Sequence, residues 1–130
     1  MPVNFSGTWN IASHEDFTAL LDKLQVPEDK RPPSKITNLQ VVIEQDGDHL
    51  KIVSKTSLGD RVNDFTVGEP CKFVMFGNMP EVDVTSAWEG DRLVITDARG
   101  AKLIREIVGD QTVCTFCVGD LAVKLFYNKA

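Results

Sequence analysis

Residues 81–128 read EVDVTSAWEGDRLVITDARGAKLIREIVGDQTVCTFCVGDLAVKLFYN, and Gly-Asp pairs at 90–91, 109–110 and 119–120 divide them into short segments. These segments are rich in Val, Ile, Thr and Phe, which favour β-strands. In the last segment Leu121, Val123, Leu125 and Tyr127 alternate with the intervening residues and therefore share one face of a strand. Because Gly tolerates φ > 0 and Asp accepts tight turns, each Gly-Asp pair predicts a hairpin.

The same Gly-Asp turn signal recurs toward the N-terminus. Further Gly-Asp pairs stand at 47–48 and 59–60, and from Gly47 onward the glycines are 9 to 13 residues apart. Short strands with turns at such intervals are typical of an antiparallel sandwich or barrel. With a first strand over residues 5–12, ten strands are predicted, the other nine being 39–45, 49–56, 61–67, 71–76, 81–88, 92–97, 101–108, 111–118 and 121–128.

One segment departs from this pattern. Residues 13–24, SHEDFTALLDKL, place apolar residues at helical spacing. Ser13 is the predicted N-cap, with the two acidic residues that follow in the first turn. The helix should stop before Pro27, where a second short helix is predicted to start. Pro32 and Pro33 limit that second helix to one or two turns.

The order of elements predicts an all-β fold, a ten-stranded antiparallel up-and-down β-barrel. The short helical lid lies between strands 1 and 2, and residues 1–130 form one domain. A long meander exposes two sheet edges unless it closes on itself, and closure removes them. Ten strands make a barrel wider than the eight-stranded size that side chains can fill. An internal cavity is therefore expected.

Charge and composition narrow the classes of partner and location. The formal net charge is −5, so the molecule has no overall attraction for nucleic acid. An acidic total still leaves room for a local basic patch that makes transient contact with anionic membranes. The opening MPVNFSGTWN has neither the basic segment nor the apolar segment of a signal peptide, which predicts a cytoplasmic protein.

The cysteines offer one candidate for redox or metal chemistry. Cys114 and Cys117 match a C-x-x-C motif, but TVCTFCV reads as a strand, where residues three apart point to opposite faces. We therefore expect ordinary strand residues there. His14 and His49 stand alone without ligand spacing, so no metal, cofactor or catalytic group is predicted.

Short motifs along the whole chain are similar to those of one family. Phe5-Ser-Gly-Thr-Trp9, Glu15-Asp-Phe17 and Val26-Pro-Glu-Asp29 stand in its characteristic order, followed by the Gln45–His49, Asn63–Glu69 and Trp88–Asp91 segments. The chain resembles the intracellular lipid-binding proteins, which carry fatty acids, retinoids or bile acids. Some motifs are nearer to the retinoid carriers and others to the liver-type and bile-acid-type members. The resemblance implies a helical lid, one or two buried ligands and no catalysis.

In many members of that family, two basic residues and a Tyr on the last strands hold the ligand carboxylate. The resemblance puts Arg105 at the first basic position and Tyr127 at the Tyr position, whereas Leu125 stands where many members have the second Arg. Arg105 shares a face with Leu103 and Ile107. Two other readings stay open: Arg105 facing solvent, or Arg105 buried against a protein acid or water.

Further residues are predicted to line the ligand site, although ordinary core packing explains each of them equally well. The candidates are Phe17, Leu20, Leu21 and Val26 on the lid and Leu58, Met75, Phe76, Phe116 and Leu125 on the wall. Trp9 and Trp88 are predicted to anchor the barrel base.

The leading hypothesis is intracellular binding and transport of a fatty acid or retinoid by a monomer in the cytoplasm, with the nucleus as a further location. The alternatives are a bile-acid or steroid carrier, a lipid-modifying enzyme that uses the cavity, and an interaction module with a filled barrel.

Overall fold

Ten antiparallel strands in one sheet form the wall of the molecule in the computed structural model, which describes residues 4–23, 25–30, 39–56, 59–73, 81–98 and 100–130. The strands are β1 (Gly7–His14), β2 (Gln40–Asp46), β3 (His49–Thr56), β4 (Gly59–Thr66), β5 (Cys71–Phe73), β6 (Val82–Glu89), β7 (Arg92–Asp97), β8 (Lys102–Val108), β9 (Gln111–Val118) and β10 (Leu121–Lys129). Their order is β4-β3-β2-β1-β10-β9-β8-β7-β6-β5, so the first strand pairs with the last. The predicted ten-stranded meander is confirmed.

The hairpin turns explain why the Gly-Asp signal was informative. Gly109 and Gly119 have φ of 61° and 58° and are the first residues of two-residue turns, which matches the φ pattern of a type II′ turn. One Gly-Asp pair was misread, however. Gly59 and Asp60 pair with Thr56 and Lys55 across the β3–β4 ladder. They belong to β4 and are not the turn, because the ladder continues through both residues.

The wall is nearly closed rather than sealed. Nine ladders join the ten strands, and in the described part of the chain no ladder joins β4 to β5. The backbone donors that follow β4 bond elsewhere: Val67 N donates to Asp48 O at 2.8 Å and Gly68 N to Ser86 O at 3.1 Å. Phe65 and Phe73 span this seam edge to face, with ring centroids 5.4 Å apart. The prediction of a fully hydrogen-bonded wall is therefore wrong at this seam.

The lid begins later than predicted. Strand β1 continues to His14 through a bulge, and Ser13 pairs with Phe126 of β10, so Ser13 is not an N-cap. The helix α1 spans Thr18–Lys23. Asp16 precedes it and its Oδ1 accepts hydrogen bonds from Thr18 N at 2.9 Å and Thr18 Oγ1 at 2.7 Å. The bond from the Thr18 amide, followed by that from its hydroxyl, lowers the pKa of Asp16 from its ordinary value.

Helix α1 ends before Pro27, as predicted, in a two-bond cap. Val26 N donates to Leu21 O at 3.0 Å and Gln25 N to Asp22 O at 3.1 Å, the pattern of a Schellman motif. Gln25 has φ of 57°, a left-handed conformation that usually favours Gly. After Pro27 a single 3₁₀ turn covers Glu28–Lys30. The Pro32-Pro33 segment lies outside the described residues.

At the end of the barrel where β1 starts, three aromatic residues form what we call the base cluster: Phe5, Trp9 and Trp88. The rings of Phe5 and Trp88 stack with centroids 6.3 Å apart. Trp9 Nε1 donates to Phe5 O at 2.9 Å, and Trp88 Nε1 donates to Asp48 Oδ1 at 2.9 Å. The lid lies at the other end of β1. None of the helices in the described part of the chain has both the length and the apolar character that crossing a bilayer requires.

Candidate functional site

Strand β8 directs Arg105 into the barrel. Leu103 and Arg105 are buried, whereas Val108 on the other face is 55% exposed. In the two ladders that flank β8, Arg105 stands opposite Leu93 and Cys114, both buried. The inward orientation expected from Leu103 and Ile107 is therefore the correct one, and the reading in which Arg105 faces solvent is wrong.

The guanidinium group of Arg105 is buried without a full set of partners. Its side chain is 6% exposed, and its Nη1 has no hydrogen-bond partner within the described residues, where Arg105 also forms no ion pair. The guanidinium carbon lies 6.0 Å from the ring centroid of Tyr127. This contact stabilises a cation weakly. A buried charge normally needs a partner of opposite charge, so this site favours an anion.

Strand β10 brings two further predicted residues to the same inner surface. Leu125 and Tyr127 are 2% and 4% exposed, whereas Lys124 before them and Asn128 after them face solvent. Burial raises the pKa of the Tyr127 phenol, and the nearby Arg105 only partly opposes this. Tyr127 therefore stays neutral and keeps its hydroxyl proton for donation. Because Leu125 occupies the other inward position, Arg105 is the only cation that faces inward from β8–β10.

Sequence reasoning missed Thr112 of β9, a polar residue that faces inward beside Tyr127. It stands directly opposite Tyr127 in one ladder and Ile107 in the other. Its exposure is 0%, and its Oγ1 has no hydrogen-bond partner within the described residues. Arg105, Thr112 and Tyr127 together form what we call the polar patch. The alternation in QTVCTFCV places Thr112 on the face of Cys114, but only the register of β9 against β10 reveals its neighbours.

The C-x-x-C pair lies on a strand, as expected. Cys114 is buried on the inner surface beside Arg105, and burial raises the pKa of its thiol. Cys117 is half-buried and pairs with Lys102 and Ala122, which face outward. Within the described ranges, no three His, Cys, Asp or Glu side chains are grouped closely enough to hold a metal ion.

The predicted lid residues all face the interior. Phe17, Leu20, Leu21 and Val26 are at most 3% exposed and belong to the same buried cluster as Tyr127. The segment before α1 is attached to β10 by two bonds: Glu15 N donates to Lys124 O, and Lys124 N donates to Glu15 Oε1, each at 2.9 Å. These bonds hold the lid against the strand that carries Tyr127.

Among the predicted wall residues, Phe116 is 9% exposed and stands between Leu103 and Val123 on the inner surface. The remaining candidates, Leu58, Met75 and Phe76, lie outside the described residues. The structure thus brings together the predicted residues of β8, β10 and the lid, and adds Thr112 to them.

Comparison with known proteins gives consistent results over the whole chain. The model of the lipocalin/cytosolic fatty-acid binding protein family matches residues 3–129. The liver fatty acid-binding protein of Sus scrofa is 30% identical over 122 residues, which cover 94% of this chain and 95% of that protein. Retinoid-binding protein 7 of Mus musculus is 34% identical over 133 residues, covering 97% and 98%.

A solved structure extends the similarity to three dimensions. The structure titled human cRBP IV superposes with a TM-score of 0.86 at 25% sequence identity and covers 99% of this chain and 100% of that one. The fold is therefore shared with a protein of known structure over nearly the whole chain.

Proposed function

The chain belongs to the lipocalin/cytosolic fatty-acid binding protein family, and from that premise we propose that it binds and transports a small hydrophobic ligand, a fatty acid or a retinoid, inside its barrel. The names of its relatives, liver fatty acid-binding protein and retinoid-binding protein 7, support these two ligand classes. They do not favour the bile-acid or steroid alternative. Since the relatives are binding proteins, we propose no enzymatic activity.

The observation that carries the proposal is the buried, partly unpartnered guanidinium of Arg105. A ligand carboxylate would supply the missing charge and accept a charge-assisted hydrogen bond, which is stronger than a bond between neutral groups. Tyr127, kept neutral by burial, is placed to donate to the same head group. We therefore propose Arg105 and Tyr127 as the residues that hold the polar end of the ligand.

The apolar part of the ligand supplies most of the affinity in this proposal. Each methylene removed from water contributes about 0.8 kcal/mol. The lid and the inner wall are the expected contacts, namely Phe17, Leu20, Leu21, Val26, Phe116 and Leu125. Contacts by Leu58, Met75 and Phe76 stay predictions from the sequence.

Several finer properties are part of the same proposal. We expect a monomer in the cytoplasm, in keeping with the cytosolic family it matches, and we keep the nucleus as a further predicted location. Transient contact with membranes would deliver or release the ligand. The net charge of −5 supports the expectation that nucleic acid is not a partner.

The test compares an acid and an alcohol of the same chain length, oleate and oleyl alcohol, by isothermal titration with wild-type protein and Arg105→Met. Removing one member of a buried charge pair costs about 2 kcal/mol or more, so oleate should bind at least about thirtyfold more weakly. Oleyl alcohol should lose less than about threefold, which is within ~0.7 kcal/mol.

Arg92→Met is the matched control, because Arg92 is exposed at the start of β7 and should leave both affinities unchanged. Equal losses for acid and alcohol in Arg105→Met would remove the head-group role of Arg105. A wild-type protein that binds neither ligand, and that yields no lipid on extraction and mass spectrometry, would refute the carrier function itself.

A further inference from the structure

Two buried polar atoms without hydrogen-bond partners lie on the same inner surface. They are Arg105 Nη1 on β8 and Thr112 Oγ1 on β9, within the part of the chain that the structure describes. Buried polar groups in native proteins are nearly always paired, and exceptions call for a specific explanation. Two exceptions on adjacent strands, both facing the interior, point to one common missing partner.

The register of the strands places the two atoms near each other. Arg105 stands opposite Cys114, two residues from Thr112 on β9, so Arg105 and Thr112 are diagonal neighbours on the inner face. Thr112 in turn stands directly opposite Tyr127, and the Arg105 guanidinium extends to 6.0 Å from the Tyr127 ring. The guanidinium therefore reaches toward the strand pair that carries Thr112.

The polar patch carries three hydrogen-bond donor groups, and none of its own residues carries a negative charge. Arg105 carries donors only, Thr112 has one hydroxyl donor that rotates freely, and the neutral Tyr127 has another. The residues opposite Arg105 in its ladders, Leu93 and Cys114, bring no negative charge. A group with two acceptor oxygens and a negative charge satisfies this arrangement.

We infer that Thr112 is a second head-group contact and that the polar patch takes a carboxylate, with one oxygen on Arg105 Nη1 and the other accepting the Thr112 hydroxyl. This inference rests on the proposed function and deepens it, since it selects an acid, whether fatty or retinoid, over the corresponding alcohol. Arg105 Nη1 and Thr112 Oγ1 then both have a hydrogen-bond partner when the ligand is bound.

The decisive variants are Thr112→Val, which keeps the shape and removes the hydroxyl, and Thr112→Ser, which keeps the hydroxyl. Thr115→Val is the matched control, because Thr115 is a nearly buried Thr on the same strand whose ladder partners Ile104 and Lys124 lie on the outer face. Oleate and oleyl alcohol are titrated into each variant by calorimetry.

We expect Thr112→Val to weaken oleate about tenfold, or ~1.4 kcal/mol, and oleyl alcohol no more than threefold. Thr112→Ser should stay within about threefold of the wild type for both ligands, and Thr115→Val should match the wild type. Unchanged oleate affinity in Thr112→Val, an equal loss in Thr115→Val, or a loss in Thr112→Ser as large as in Thr112→Val would each overturn the role of the hydroxyl.

A second measurement separates ligand binding from a structural role. In ligand-free protein Thr112→Val removes an unpaired buried hydroxyl, so the urea midpoint should stay equal or rise. A lower midpoint would show that Thr112 has a structural partner and would overturn the inference. Wild-type protein that binds oleate and loses it in Arg105→Met but not in Thr112→Val would refute this inference alone, whereas absence of all binding would refute the carrier function.

Discussion

The polar patch is buried, as are Phe5 and Trp9 of the base cluster, yet the two regions differ in whether their polar atoms have hydrogen-bond partners. In the base cluster each indole N–H donates to an acceptor, and the amide of Phe5 donates to Gln45 Oε1 at 2.8 Å. In the polar patch Arg105 Nη1 and Thr112 Oγ1 have no such acceptor among the described residues. The base cluster satisfies its own polar atoms, whereas the polar patch leaves two of them without a partner among the described residues.

We propose that the difference separates residues that stabilise the fold from residues that bind the ligand. A satisfied buried group stabilises the native state modestly, whereas an unsatisfied one costs its full desolvation energy. Such a cost persists only where another contribution compensates for it, and ligand binding is the compensation that we propose for the polar patch. Substitutions in the two regions should therefore act with opposite signs on ligand-free stability.

The largest effect is expected in the base cluster. Trp9→Ala removes a buried ring that donates to Phe5 O and lies 5.4 Å from Lys129 Nζ. It should lower the free energy of unfolding by about 3–5 kcal/mol, the usual range for a large core truncation. Urea unfolding followed by circular dichroism measures this. Val62→Ala, on a side chain that is 53% exposed, is the control and should change stability by no more than about 0.5 kcal/mol. A small loss in Trp9→Ala would refute the structural role of the base cluster.

A matched pair of methionine substitutions tests directly whether the two regions change ligand-free stability in opposite directions. Gln45→Met keeps the side-chain volume but takes the acceptor from Phe5 N, and should destabilise the ligand-free protein by about 1–3 kcal/mol. Arg105→Met removes an unpaired buried charge and should stabilise it by roughly 1–3 kcal/mol. Both are read from urea unfolding of delipidated protein. If the two variants shift stability in the same direction, the contrast between base cluster and polar patch does not hold.

The smallest effect is expected in the lid. There, a substitution should raise the stability of the protein without lowering its affinity for the ligand. Gln25→Gly relieves a left-handed residue at the helix end and should stabilise the protein by about 1 kcal/mol. Because Gln25 lies outside the polar patch, oleate affinity should be unchanged, unlike in Arg105→Met. Urea unfolding and oleate titration of the same preparation measure both quantities. Weaker oleate binding would mean that the conformation of Gln25 serves the ligand.

Most of the fold could be predicted because its signals are local. Turn glycines and strand alternation act within a few residues, so the strand boundaries agree closely with the structure. The errors occurred where pairing with a strand distant in the sequence determines the local conformation. Ser13 has the features of an N-cap, but its pairing with Phe126 of β10 keeps it extended. Gly59-Asp60 has the features of a turn, but the β3 ladder includes both residues.

The site was predictable only in part for the same reason. Alternation and family resemblance together were enough to point Arg105, Leu125 and Tyr127 inward. Thr112 gave no signal of its own, because a threonine on a strand is ordinary and its lack of a partner depends on two ladders that the sequence does not display. Whether a buried polar atom has a hydrogen-bond partner depends on the register of its strand, and that register is set by pairing across the sheet.

The pairing of β1 with β10 has a consequence for how the protein is made. Glu15 and Lys124, which bond to each other beside this ladder, are 109 positions apart in the chain. On the ribosome, β1 emerges soon before β2 but long before β10, its other partner, and contacts of such high sequence separation form slowly. The edge of β1 that pairs with β10 therefore stays unpaired during synthesis, when aggregation and chaperone binding compete with folding. Arrival of the final strand joins β1 to β9 and brings Tyr127 to the polar patch late in folding.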